Sequence, residues 1–228
     1  MDYEVELNTT PGRRQDEEAL TVRFADGQAE TMRLHEYERV YAIPGLYEEV
    51  VQRRLECASP ARLAEGVVAA AAAAGQDAAD LRAFDLGAGN GVVGEELAAR
   101  GVSALVGSDN IAAARDAARR DRPELYPDYL VGELEDWDTL GRLVADRRLN
   151  VLTTAGALGL GHIPAGSWLG ITVAEHLANP GDGDIGDWLA RMAAGEGGTE
   201  ILGREPFRHR LTMAGDPITY LVVVGRRV

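Results

Sequence analysis

Between residues 82 and 154 the chain alternates short apolar runs with segments whose apolar residues recur at helical spacing. The pattern predicts strands at 82–86, 103–107, 128–131 and 149–154, and helices at 92–100, 111–120 and 137–146. Strands that alternate with helices imply an α/β fold with a parallel sheet. In such a sheet a ligand sits at the carboxyl ends of the strands, where strand order reverses. Asp85, Asp109, Glu133 and Thr154 all fall at such ends.

Other periods govern the flanks. Residues 19–34 alternate apolar and polar around Asp26-Gly27, which predicts a β-hairpin. Residues 1–34 are therefore expected as a peripheral element and a candidate homodimer contact. An aromatic-rich, helical pair follows to Cys57, broken at Pro44-Gly45; Tyr37 and Tyr41 are four residues apart and share a helix face, and Tyr47 lies on the next segment. Ser59-Pro60 opens an Ala-rich helix that runs to about Ala74, with Ser59 as N-cap and Gly75 ending it. Trp168–Ala174 reads as a fifth strand; the competing reading makes 165–178 a crossover helix. A helix is expected at 184–194, and Phe207–Val224 reads as two strands around Gly215-Asp216-Pro217. This organisation predicts a hairpin and helical cap at 1–57 on a core at 58–228.

Composition narrows the partners. With 228 residues, 46% of them apolar, the chain can fill one sizeable core. Its formal net charge of −14 argues against nucleic acid and anionic membranes, since phosphate contacts need a basic stripe and the arginines here are interleaved with acids. Cys57 is the only cysteine, which excludes an intrachain disulfide. There is no lysine, which removes Schiff-base chemistry and a Walker lysine. The first residues carry neither a basic nor an apolar leader pattern, and no apolar run suits a membrane span, so a cytoplasmic location is expected.

The chemistry concentrates in Phe84-Asp85-Leu86-Gly87-Ala88-Gly89-Asn90-Gly91-Val92-Val93-Gly94, an acid at a strand end followed by alternating glycines that open a helix. Glycines there let backbone approach a ligand, and the helix offers its N-terminus. Gly89-x-Gly91-x-x-Gly94 also satisfies the dinucleotide fingerprint, with Asp109 about 20 residues downstream. Asp85 discriminates: a carboxylate at the turn repels a pyrophosphate and attracts a sulfonium and an ammonium. The set Asp85, Gly87, Gly89 and Gly91 resembles motif I of the class I S-adenosylmethionine-dependent methyltransferases.

That resemblance implies a Rossmann-like, doubly wound, mostly parallel seven-stranded sheet completed by an antiparallel C-terminal hairpin, with the N-terminal hairpin and a helical lid added. It implies S-adenosylmethionine as cofactor, with S-adenosylhomocysteine as product. By position, Asp109 takes the ribose hydroxyls with help from Asn110, Glu133 takes the adenine amino group, and the Leu134 backbone reads the ring. Glu133 departs from the Asp more usual there. Thr154 ends the fourth strand, and Tyr37, Tyr41 and Tyr47 are placed in a lid over the acceptor. More narrowly, Gly156-Ala157-Leu158-Gly159-Leu160-Gly161-His162-Ile163-Pro164 resembles a loop of the Williams–Beuren-region methyltransferase-like group.

A sulfonium is already an activated leaving group, so the protein's task is alignment and exclusion of water. His162, after the fourth strand, is the candidate to take or orient an acceptor proton; His209, on a strand face with Phe207 and Leu211, reads as a core histidine. No spacing suggests a metal site. The expectation is methyl transfer to a small molecule. The alternatives are a nicotinamide-dependent oxidoreductase and a non-catalytic S-adenosylmethionine-binding or scaffold protein.

Overall fold

The structure, a computed structural model, describes residues 3–12, 14–132, 137–155 and 165–228. A three-stranded antiparallel sheet comes first, in the order β1 (Tyr3–Leu7), β2 (Ala19–Phe24), β3 (Ala29–Arg33). The expected hairpin is β2–β3; β1 adds a strand that its alternation of Val5 and Leu7 with Glu4 and Glu6 could have supplied. The inner face of this sheet is spent within the chain: Leu20, Val22 and Met32 pack on Val40, Leu46, Val50 and Leu55 of the helical segments that follow.

Those segments are α1 (Tyr37–Ala42) and a π-helical stretch, Glu48–Arg54. In the latter the wide turn is closed by Leu55 N–H donating to the Val50 carbonyl at 2.9 Å. Helix α2 (Ser59–Ala73) follows, with Ala58 rather than Ser59 at the N-cap position. Ser59 is drawn into the first turn because its hydroxyl is engaged elsewhere, by His209.

The core is a seven-stranded, Rossmann-like sheet in the order β6-β5-β4-β7-β8-β10-β9. Its strands are β4 (Arg82–Leu86), β5 (Ala104–Asp109), β6 (Asp128–Val131), β7 (Val151–Ala155), β8 (Trp168–Ala174), β9 (Thr199–Leu211) and β10 (Pro217–Arg227). The first five run parallel, whereas β10 runs antiparallel to both β8 and β9. Trp168–Ala174 is thus a strand, buried at every position because it lies between β7 and β10. The final hairpin is longer than its alternating part, extending back to Thr199 and on to Arg227.

Helices α3 (Val92–Ala99), α4 (Ala112–Asp121), α5 (Trp137–Arg147) and α6 (Asp184–Ala193) complete the doubly wound layers. On one face of the sheet Leu63 and Val67 of α2 and Leu97 of α3 meet Ala83 and Leu105; on the other Val144 of α5 and Leu189 of α6 meet Phe84, Leu152 and Ile171. The order reverses at β4, with β5 on one side and β7 on the other, so the turn after β4 opens at the switch point. Among the described residues no helix is long and apolar enough to cross a membrane.

Candidate functional site

The turn that leaves β4 has Gly87, Gly89 and Gly91 at φ +70°, +55° and +96°, a left-handed run that side-chain-bearing residues adopt at a cost. Beneath it Asp85 is 1% exposed. Its two oxygens accept hydrogen bonds from the Tyr126 hydroxyl at 2.6 Å and the Thr153 hydroxyl at 2.9 Å. Burial pushes this carboxyl up to about 6, against the two hydroxyl donors that favour its ionised form. The acid read as facing a cationic ligand therefore lies beneath the turn with both of its oxygens taken by protein hydroxyls.

Asp109, at the end of β5, reaches back across the turn. Its carboxylate accepts the Gly89 N–H at 3.0 Å and the Ile111 N–H at 3.0 Å. Burial raises its pKa, and these amide donors and that of Asn110 oppose the rise. A carboxylate has about four lone-pair sites, so three amides leave room for one further donor, such as a ribose hydroxyl. The cradle's remaining glycines are packed by protein. A Cβ at Gly91 would stand 3.0–3.1 Å from Leu125, Arg122 and Tyr126, and one at Gly94 would collide with the Tyr126 ring. Gly91 is the position at which a dinucleotide fingerprint brings bare backbone to the pyrophosphate, whereas Gly94 holds its helix–strand packing position.

A second carboxylate, from the cap, also meets the turn. Glu48 Oε1 accepts a hydrogen bond from the Asn90 side-chain amide at 3.1 Å. Arg122 clasps the pair: its guanidinium donates to Glu48 at 2.6 Å, to the Asn90 carbonyl at 3.1 Å and to Glu95 of α3 at 2.7 Å. Arg120 donates to the Tyr41 carbonyl at 3.2 Å. The cap is thus tied to the cradle through the end of α4.

Between cap and cradle lies a cavity of about 280 Å³. Gly87, Ala88, Gly89 and Asn90 form its floor with Ala155 from the end of β7, while Tyr37, Tyr41 and Tyr47 form its roof. The Tyr37 and Tyr41 rings stack at 6.0 Å between centroids, and Tyr41 meets Tyr47 at 4.9 Å. Burial holds all three phenols up, Tyr37 to about 12 and Tyr41 and Tyr47 well above the ordinary phenol value, so each stays a neutral hydroxyl. Tyr41 stands directly over Gly89, where a Cβ would strike its hydroxyl.

The far wall comes from residues that sequence reading placed elsewhere. His209, expected in the core, lines the cavity with Tyr220 and Arg210. Thr154 is buried within β7, and Asp85, Gly91, Asp109 and Asn110 lie off the cavity wall. Glu133, Leu134 and His162, the expected adenine readers and candidate base, fall outside the described residues. Glu48 and Arg122 carried no motif, since a single acid and a single base 74 residues apart look like ordinary surface charges.

No protein-family model matches the chain, and no curated protein matches it. Solved structures do. One from Thermoplasma acidophilum is 12% identical over 72% of this chain and 84% of its own, with a TM-score of 0.51. An S-adenosylmethionine-dependent methyltransferase from Mesorhizobium loti is 18% identical, covering 72% of this chain and 98% of its own, with a TM-score of 0.45. A candidate RNA methyltransferase from Pyrococcus horikoshii is 15% identical over 72% and 83%, with a TM-score of 0.49. At these identities the likeness concerns the fold.

Proposed function

We propose that the chain is an S-adenosylmethionine-dependent methyltransferase that acts on a small molecule held between its cap (residues 1–57) and its core (58–228). The observation that carries this reading is the cavity itself, floored by the glycine turn at the switch point and roofed by tyrosines. Asp109 supports it, with a carboxylate that keeps acceptor capacity for a ribose beside the Gly89 amide. The side chains packed against Gly91, where a dinucleotide fingerprint brings bare backbone up to its pyrophosphate, disfavour a nicotinamide dinucleotide. The run 156–164 supports a relationship to the Williams–Beuren-region group.

In this reading the cofactor lies along the turn at Gly87, with Tyr41 standing over Gly89, and Asp109 orients its ribose. The sulfonium, when bound, supplies a methyl group that needs no further activation. The tyrosine roof then has two tasks, excluding water and holding the acceptor in line. A roof this close selects acceptors that fit an enclosed space, which fits a small molecule better than a duplex or folded RNA.

Calorimetric titration of the protein with S-adenosylhomocysteine, S-adenosylmethionine, NAD and NADP tests the reading. Binding of the adenosyl sulfur ligands alone is expected. Binding of NAD or NADP alone would replace it with an oxidoreductase, and methyl transfer to tRNA or rRNA in preference to small acceptors would overturn the substrate class. Cofactor binding with no transfer to any acceptor would leave a non-catalytic binding protein.

A further inference from the structure

Strand β9 slips against β10 at the cavity. Ile218 pairs with Arg210 but Thr219 pairs with Arg208, so His209 is an extra residue in a β-bulge. Bulges break the strict alternation of a strand and re-aim side chains. Here two consecutive residues, His209 and Arg210, both reach the cavity wall.

The imidazole is fixed on two sides. Its ring lies on Tyr220, 3.9 Å between centroids and 22° from parallel. Its Nδ1 is 2.6 Å from the Ser59 hydroxyl, with the Cys57 sulfur 3.8 Å away. Nε2 makes no hydrogen bond among the described residues. Arg210 is buried behind the ring, its guanidinium 2.6 Å from Glu18.

Burial is the largest influence on His35, Tyr37, Cys57, His209 and Tyr220, and Arg210 is the leading charge acting on each of the five. His209 is held down to about 3, first by burial and then by Arg210, and stays neutral. A neutral ring of that kind orients an acceptor through a hydrogen bond rather than storing its proton.

Resting on the methyltransferase reading, we propose that the bulge builds the acceptor subsite: His209 receives the oxyanion of a small planar aromatic acid, with the Arg210 guanidinium held next to it by Glu18 and the Leu211 carbonyl, making the reaction an O-methylation. Ser59 donates its hydroxyl proton to Nδ1, which places the imidazole N–H on Nε2, where it donates to the oxyanion. The rings of Tyr37, Tyr41, Tyr47 and Tyr220 supply faces for an aromatic body. In the transfer an oxygen lone pair forms the new O–C bond as the C–S bond breaks. The electron pair of that bond stays on sulfur, which becomes a neutral thioether, and the oxyanion becomes a neutral ether or ester. No proton moves in the step. His209 is a positioning residue that contacts the acceptor.

The test uses the full chain saturated with S-adenosylhomocysteine, titrated calorimetrically at mildly alkaline pH with 4-nitrophenolate, benzoate and, as a cation of similar size, benzylamine. Binding of one or both arylates and rejection of benzylamine are expected, and the two arylate arms separate a phenol from a carboxylic acid as acceptor. His209→Phe keeps a ring against Tyr220 but no donor, and weakens arylate binding about tenfold or more while S-adenosylhomocysteine affinity is kept. His209→Gln, whose amide N–H can donate from the same place, recovers part of the loss, which a purely structural role would not produce. The proposal is overturned if the loaded wild type binds neither arylate, if it prefers benzylamine, or if His209→Phe binds arylates as wild type does. A wild type that does not bind S-adenosylhomocysteine overturns the methyltransferase reading itself, and this inference with it.

Discussion

Asp85→Asn removes one ionisation from the middle of the sheet and keeps the shape of the side chain. In the wild type this carboxyl is raised from 3.8 to about 6, chiefly by burial. The difference is about two units, and at about 1.36 kcal/mol per unit it amounts to roughly 3 kcal/mol. Because the folded state holds the proton more tightly than the unfolded chain, this stabilisation is fully present below 3.8 and is lost as pH rises through about 6. Asparagine has no such loss. Its carbonyl can accept from one hydroxyl, of Tyr126 or Thr153, and its amide can donate to the other, since a hydroxyl serves in either role. Urea unfolding of both proteins across this pH range gives the stability difference, and subtraction cancels the titrations they share. Relative to the variant, the wild type should lose roughly 3 kcal/mol between the acid and alkaline limits. A difference that stays flat, or that moves in favour of the wild type as pH rises, would refute the reasoning and show that the two hydroxyl donors outweigh burial.

Glu18→Ala leaves Arg210 charged and buried without its partner, which should cost about 3–5 kcal/mol in urea unfolding; the double variant Glu18→Ala/Arg210→Met should recover much of that. Asp109→Asn weakens the charge-assisted acceptor at the cradle and should reduce S-adenosylhomocysteine affinity about tenfold or more by calorimetry; unchanged affinity would remove Asp109 from the cofactor site. Gly94→Ala drives a methyl into the Tyr126 ring, whose Cζ and Cε1 lie 2.7 and 3.0 Å from the new atom. Overpacking of this kind costs about 1–3 kcal/mol, and because Tyr126 also holds Asp85, a loss of cofactor affinity should accompany the lower melting temperature.

The sheet was legible because its evidence is local. Apolar runs such as Trp168–Ala174 and Arg82–Leu86 carry their own period, and the glycines from Gly87 to Gly91 mark a turn that only a left-handed backbone can make. The site was legible on its floor for the same reason. Its wall was not. Whether Asp85 faces a ligand or a neighbouring strand depends on Tyr126 and Thr153, 41 and 68 residues away, and no local pattern encodes those approaches. His209 was misread because alternation puts it on the side of Phe207 and Leu211, while the slip at Thr219 that changes its surroundings is a property of pairing with β10. The hydroxyl of Ser59 looked like a cap and became a partner of that same histidine, 150 residues on.

The Glu18 carboxylate, just ahead of β2, accepts from Arg210 and from the Met213 amide, across separations of 192 and 195 residues. On a ribosome the N-terminal sheet is made first, yet its anchor does not exist until residue 213 has cleared the exit. The parallel strands β4 to β8 can begin to pair while the cap waits undocked, because long-range closure is paid for late. A chain interrupted before β9 would hold the glycine turn and the Arg120 and Arg122 ties to the cap, but neither the far wall nor the Glu18 anchor. The cavity would then be incomplete in every unfinished product of translation, with the last hairpin as the step that closes it.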